Sequence, residues 1–104
     1  MARKKRGNLD TSGFFYIATS SSLAESGCLK IGKTKNLDAR LSNYNCGRME
    51  ADFMYYAYVV KISQELDKFE KKIKLLCLDK IHRGEILKCD INYIRNIVEK
   101  LLFE

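Results

Sequence analysis

Glu70 is the residue whose place in the sequence most needs chemistry to explain it. It falls between Leu66 and Ile73, at the edge of an apolar helical stripe made of Leu66, Phe69, Ile73, Leu76 and Cys77. A carboxylate in such a stripe is costly unless a cation holds it. Glu70 either binds a metal ion, or reaches water at the rim, or pairs with Lys74 one helical turn further on. Spacing alone favours the last two over the metal. Tyr16 and Lys30 form a second suggestive placement. They lie in two runs, Phe14-Phe15-Tyr16-Ile17-Ala18 and Cys28-Leu29-Lys30-Ile31-Gly32, that read as the strands of a hairpin. Side chains alternate across a strand, so Phe15 and Ile17 can match Leu29 and Ile31 on one face. A phenol and an ammonium then share the other face. Lys33, Lys35 and Arg40 follow closely, and such a concentration of cations suits a polyanion.

These residues need elements to hold them. The serine-rich stretch from Thr19 to Gly27 reads as the loop of the hairpin. Thr34 or Asn36 can cap a helix whose stripe is Leu37, Leu41 and Tyr44, with Arg40 bordering it. Asn45 to Asp52 reads as loop. Phe53 to Ile62 is the strongest strand signal and is expected at the centre of the sheet. A second helix, capped by Ser63, is expected from Gln64 to Lys80 and carries Glu70. His82 to Glu85 reads as a turn, with Ile86-Leu87 as a short apolar piece after it. Asp90 caps a last helix with Ile91, Ile94, Val98 and Leu101 on its stripe. The expected organisation is a basic flexible arm over residues 1–12 and one α+β (α/β) domain over 13–104. Its core is a three-stranded antiparallel sheet flanked by helices.

The chain has 104 residues, with 19 Lys+Arg against 13 Asp+Glu and a net charge of +6. Arg3, Lys4, Lys5 and Arg6 of the arm add to the cationic excess. The basic residues do not face an apolar stripe across one helix, which argues against a membrane-surface helix. No run approaches the ~18 apolar residues of a membrane span, and no apolar run follows the basic start as in a signal peptide. Cys28, Cys46, Cys77 and Cys89 lack the tight spacing of a zinc site or a disulfide framework. They read as free thiols in a reducing intracellular compartment, cytoplasm or nucleus. His82 reads as a loop residue rather than a catalyst.

Phe14-Phe15-Tyr16-Ile17, then Lys30-Ile31-Gly32-Lys33-Thr34 with Arg40 eight residues after the glycine, then Phe69-Glu70-Lys71-Lys72-Ile73-Lys74 resembles the GIY-YIG nuclease superfamily. The closest likeness is to its small phage- and virus-associated branch. Arg83-Gly84-Glu85-Ile86-Leu87 is similar to a turn that this branch carries. The resemblance covers residues 13–90 and implies a metal-dependent endonuclease acting on nucleic acid, DNA rather than RNA, with Mg²⁺ or Mn²⁺. It implies that Tyr16 helps deprotonate the attacking water and that Arg40 steadies charge on the scissile phosphate. Glu70 would hold the metal, with Glu85 as the alternative ligand. Lys30 stands where the second-motif tyrosine is usual and is carried as a fourth catalytic residue. Lys33, Lys35, Tyr44 and the arm's Arg3, Lys4, Lys5 and Arg6 are the expected nucleic-acid contacts. A tyrosine base needs its pKa lowered from ~10, and Lys30 or Lys33 would push it that way. Phe14 and Lys30 depart from the superfamily's pattern, which leaves a non-catalytic nucleic-acid-binding module as the alternative. So small a domain has little room for its own recognition unit, so a protein partner could supply specificity.

Overall fold

The computed structural model describes residues 12–103. The basic arm's Arg3, Lys4, Lys5 and Arg6 lie outside that range. The elements are β1 (Gly13–Thr19), α1 (Ser21–Glu25), β2 (Cys28–Thr34), α2 (Leu37–Asn45), β3 (Tyr55–Ile62), α3 (Leu66–Leu76), β4 (Ile81–Arg83), β5 (Ile86–Lys88) and α4 (Ile91–Leu102).

The strands form one antiparallel sheet in the order β3-β1-β2-β5-β4. This corrects the three-stranded expectation: the sheet has five strands. The added pair, β4 and β5, has three residues per strand, too few for alternation to register in sequence. Gly84, at a φ of 58°, makes the tight turn between them. The strand expected at the centre, β3, lies at an edge. Its burial alternates along its length, as an edge strand with one covered face requires.

The β1–β2 register pairs Tyr16 with Gly32, Ile17 with Ile31 and Ala18 with Lys30. Directly paired residues share a face, so the sheet has two distinct sides. One side carries Phe15, Ile17, Leu29 and Ile31 against Leu66, Phe69 and Ile73 of α3 and Ile94 and Val98 of α4. This is the main core, with Phe15 and Phe69 meeting edge to face at 5.8 Å. The other side carries Tyr16 and Ala18, covered by Met54, Leu37, Leu41, Tyr44 and Tyr56. The predicted α3 stripe holds at Leu66, Phe69, Ile73 and Cys77, but Leu76 is half exposed because the helix ends there. Glu65, not Ser63, is the α3 N-cap residue, and no side chain caps that helix.

Polar pins rather than apolar bulk hold α2 in place. Asn36 caps it, its Oδ1 accepting from Ala39 N at 2.9 Å. Tyr56 donates to Leu37 O at 2.7 Å. Asn45 exchanges two bonds with the Met54 backbone, at 2.6 and 3.2 Å. The last of these ties the end of α2 to the residue just before β3.

The sheet also has a notch. β5 pairs only with Cys28, Leu29 and Lys30, while β2 runs on to Thr34. Ile31 N, the next donor on β2, bonds Glu85 O at 3.1 Å in the β4–β5 turn. Glu85 therefore sits where β2 outruns its neighbour.

Candidate functional site

The α2 side of the sheet gathers Tyr16, Lys30, Arg40 and Tyr44. Tyr16 is fully buried on β1, and its hydroxyl shares a hydrogen bond with that of Tyr44. Arg40 Nη1 donates to the same Tyr16 hydroxyl at 3.3 Å. Arg40 and Tyr44 are four residues apart on α2, one turn, which is why both reach one point. The Lys30 ammonium lies 5.3 Å from the Tyr44 ring centroid, over its face. Gly32 makes room for this cluster: a Cβ there would lie 2.6 Å from Tyr16 Cζ. Lys35 is exposed between β2 and α2.

Burial raises the Tyr16 pKa well above the ordinary tyrosine value, and the Tyr44 hydroxyl raises it further; Arg40 opposes both and is outweighed. The expectation of a lowered pKa is thus corrected. Among the described residues Lys33 lies on the opposite side of the sheet, and Lys30 is occupied elsewhere. Tyr16 is held neutral, and its hydroxyl accepts from Arg40. The hydrogen bond with Tyr44 raises the Arg40 pKa, with Tyr16 adding to it, so its charge is fixed.

Glu70 sits on the α3 side, 5% exposed. Lys33 reaches its Oε1 at 3.2 Å and Asp67 at 3.5 Å. Burial lowers the Lys33 pKa, but the hydrogen bond and charge of Glu70, helped by Asp67, outweigh it and raise the value overall. Lys74, the partner expected from spacing, stops 3.9 Å from Glu70 Oε2, beyond hydrogen-bonding range. Oε2 is buried without any hydrogen bond. Glu85, the alternative metal ligand, is occupied by two lysines. Its Oε1 pairs with Lys30 at 3.4 Å and its Oε2 with Lys74 at 3.3 Å. Among the described residues no three His, Cys, Asp or Glu side chains gather to hold a metal.

Three carboxylates and three lysines form one chain of contacts: Lys30, Glu85, Lys74, Glu70, Lys33, Asp67. It runs from the α2 side to the α3 side through the notch. No hydrogen bond or ion pair among the described residues joins Glu70 directly to Tyr16, Arg40 or Tyr44. The i+4 spacing from Glu70 marks Lys74 in the sequence, but not its contact with Glu85. Tyr56 has no part in the motifs, and nothing local marks it.

Residues 13–102 match the profile of the T5orf172 domain. The chain belongs to the T5orf172 domain family. It is 35% identical over 81 residues to a Bro-N domain-containing protein of invertebrate iridescent virus 3, covering 77% of this chain and 20% of that protein. It is 29% identical over 84 residues to a KilA-N domain-containing protein of invertebrate iridescent virus 6, covering 81% of this chain and 36% of that protein. The chain thus spans about a fifth and about a third of these two curated relatives. No solved structure matches the chain significantly. The T5orf172 match corrects the assignment to the GIY-YIG superfamily, which it replaces; Phe14 and Lys30 are the positions where that superfamily's motifs are not met. Among the described residues no helix is long and apolar enough to cross a membrane.

Proposed function

We propose that this T5orf172 domain binds nucleic acid, duplex DNA first, by gripping the phosphodiester backbone on the α2 side of the sheet. The observation that carries this reading is the convergence of Arg40 and the hydroxyls of Tyr16 and Tyr44 on one point, with the Lys30 ammonium over the Tyr44 ring. Arginine's planar fork matches phosphate oxygens, and a hydroxyl adds a neutral donor. Binding dominated by phosphate contacts weakens linearly in log–log terms as salt rises. Anisotropy titrations of a labelled duplex, a single strand and an RNA duplex across a salt series test it. Wild type is expected to bind, with Arg40→Ala weakened about tenfold and its salt slope reduced by about one. Salt-insensitive binding, or none, sinks the reading.

A second reading is hydrolysis of the bound phosphodiester, and one observation favours it: the buried Oε2 of Glu70, which no hydrogen bond satisfies. A single carboxylate fits an ion such as Mg²⁺ or Mn²⁺, which keeps several waters and completes its shell with a phosphate oxygen. Such an ion would supply Lewis acidity and an activated water. Glu70 would hold it, Arg40 would bind the phosphate charge, and Tyr16, fully buried and bonded to Arg40 and Tyr44, would hold that guanidinium in place. Lys33 must leave Glu70 Oε1 for a second oxygen to become available, and an incoming phosphate offers it another partner. A plasmid nicking assay with Mg²⁺ or Mn²⁺ separates the readings. Cutting by wild type and its loss in Glu70→Gln, with duplex affinity kept, supports hydrolysis. A folded wild type that binds but never cuts leaves a binding module.

A further inference from the structure

Glu85 lies in the β4–β5 turn at the notch, and its two carboxylate oxygens meet two different lysines. Oε1 meets Lys30, which belongs to the α2 side, and Oε2 meets Lys74 of α3. Its backbone is fixed as well, since Glu85 O accepts from Ile31 N at 3.1 Å. Lys30 has a long side chain with four rotatable bonds, and an unheld ammonium would spread over many rotamers. Here it is held between a carboxylate and the face of the Tyr44 ring.

The geometry points to Glu85 as a positioning residue. It keeps Lys30 aimed over Tyr44 at the phosphate-binding cluster and, through Lys74, ties that cluster to Glu70. The inference rests on the phosphate-binding reading above for its consequence, but the positioning itself does not. It explains why a carboxylate stands beside a cationic site where it should weaken anion binding: order is gained at the expense of net charge. A purely electrostatic role makes the opposite forecast. Removing the charge in Glu85→Gln would strengthen duplex binding, and Glu85→Asp would leave it unchanged.

The test uses the full chain and two readouts. In the free protein, the Lys30 Cε protons lie near the Tyr44 ring and carry an upfield ring-current shift, identified by its absence in Lys30→Gln. That shift is expected to collapse in both Glu85→Gln and Glu85→Asp, because the aspartate is one methylene too short to span both lysines. For a labelled duplex, Glu85→Asp is expected to weaken affinity about twofold to fivefold, the size of one partly exposed ion contact. That loss is expected to vanish in a Lys30→Gln background. If the Lys30 shift survives either substitution, the positioning role is overturned. It is overturned too if Lys30→Gln weakens binding while Glu85→Asp does not. If the shift collapses and Lys30→Gln leaves duplex affinity untouched, the phosphate-binding role of Lys30 falls while its positioning by Glu85 stands.

Discussion

The two sides of one sheet are built on different terms. On the α3 and α4 side, Phe15, Ile17, Ile31, Ile73, Ile94 and Val98 are fully buried among one another, and one carboxylate, Glu70, intrudes at the rim. On the α2 side no residue of the helix is fully buried, and the cover is joined to the sheet by hydroxyl, amide and guanidinium contacts. Apolar burial is strong and indifferent to direction, whereas hydrogen bonds are modest in net energy and strict in direction. The first side therefore suits holding the fold together. The second suits holding a few polar groups at set angles. Stability and binding should separate accordingly when each side is changed.

The largest expected effect is on the apolar side. Ile73→Ala removes a fully buried side chain from the centre of α3 and should cost about 3 kcal/mol in unfolding free energy. Chemical denaturation measures this, and a cost below about 1 kcal/mol would show that the α3 side is not the main source of stability. Gly32→Ala comes next. The new Cβ would lie 2.6 Å from Tyr16 Cζ, in a phenol that is itself buried and bonded. The expected cost is about 2 kcal/mol, and duplex binding should fall with it because Tyr16 must move. A well-folded Gly32→Ala protein that binds like wild type would mean the phenol cluster is not the binding point.

This division was partly legible in the sequence. The alternation through Phe15, Tyr16 and Ile17, matched by Leu29, Lys30 and Ile31, put phenol and ammonium on one face, and the register agrees. The place of Glu70 in an apolar stripe marks it for a cation or for water at the rim, and Lys33 is its partner. The choice of Lys33 over Lys74 was not legible, because it depends on how α3 lies across β2. β4 and β5 were missed because three residues cannot display a period. β3 read as central because Tyr55, Val59 and their neighbours are apolar, although the edge strand leaves both of these exposed. The Tyr16 pKa was expected to fall on the strength of nearby lysines. Burial and Tyr44 decide it instead, and depth of burial is a tertiary property. The superfamily assignment rested on short motifs, whereas the T5orf172 match extends over residues 13–102.

A smaller effect should appear on the apolar side at high pH. Cys77 is fully buried, and burial, with lesser contributions from Cys89 and Asp79 against Lys80, pushes its thiol up to about 11 from 9.0. A raised folded-state pKa means the native protein holds the proton more tightly than the unfolded chain. The resulting stability is complete below pH 9 and is lost as pH climbs through about 11. Comparing urea midpoints of wild type and Cys77→Ala between these limits should show wild type losing about 1 to 2 kcal/mol more than the variant. Parallel curves would mean that the thiol is not shielded. At neutral pH the same burial should make Cys77 slower to alkylate than the exposed Cys46.

The smallest expected effect on stability is the most telling for function. Arg40 is half exposed to solvent on α2, and its removal leaves the Tyr16–Tyr44 hydrogen bond in place, so no buried group is orphaned. Arg40→Ala should therefore shift the unfolding free energy by about 1 kcal/mol or less. Duplex affinity should nonetheless drop about tenfold, because the planar fork of a fixed guanidinium has no substitute on that side. Arg40→Lys separates charge from geometry. If point charge is enough, lysine restores binding; if the planar fork is needed, it restores little. Should Arg40→Ala instead unfold the domain, the α2 side would have to be read as structural. The polar contacts there would then serve stability in the way the apolar ones do across the sheet.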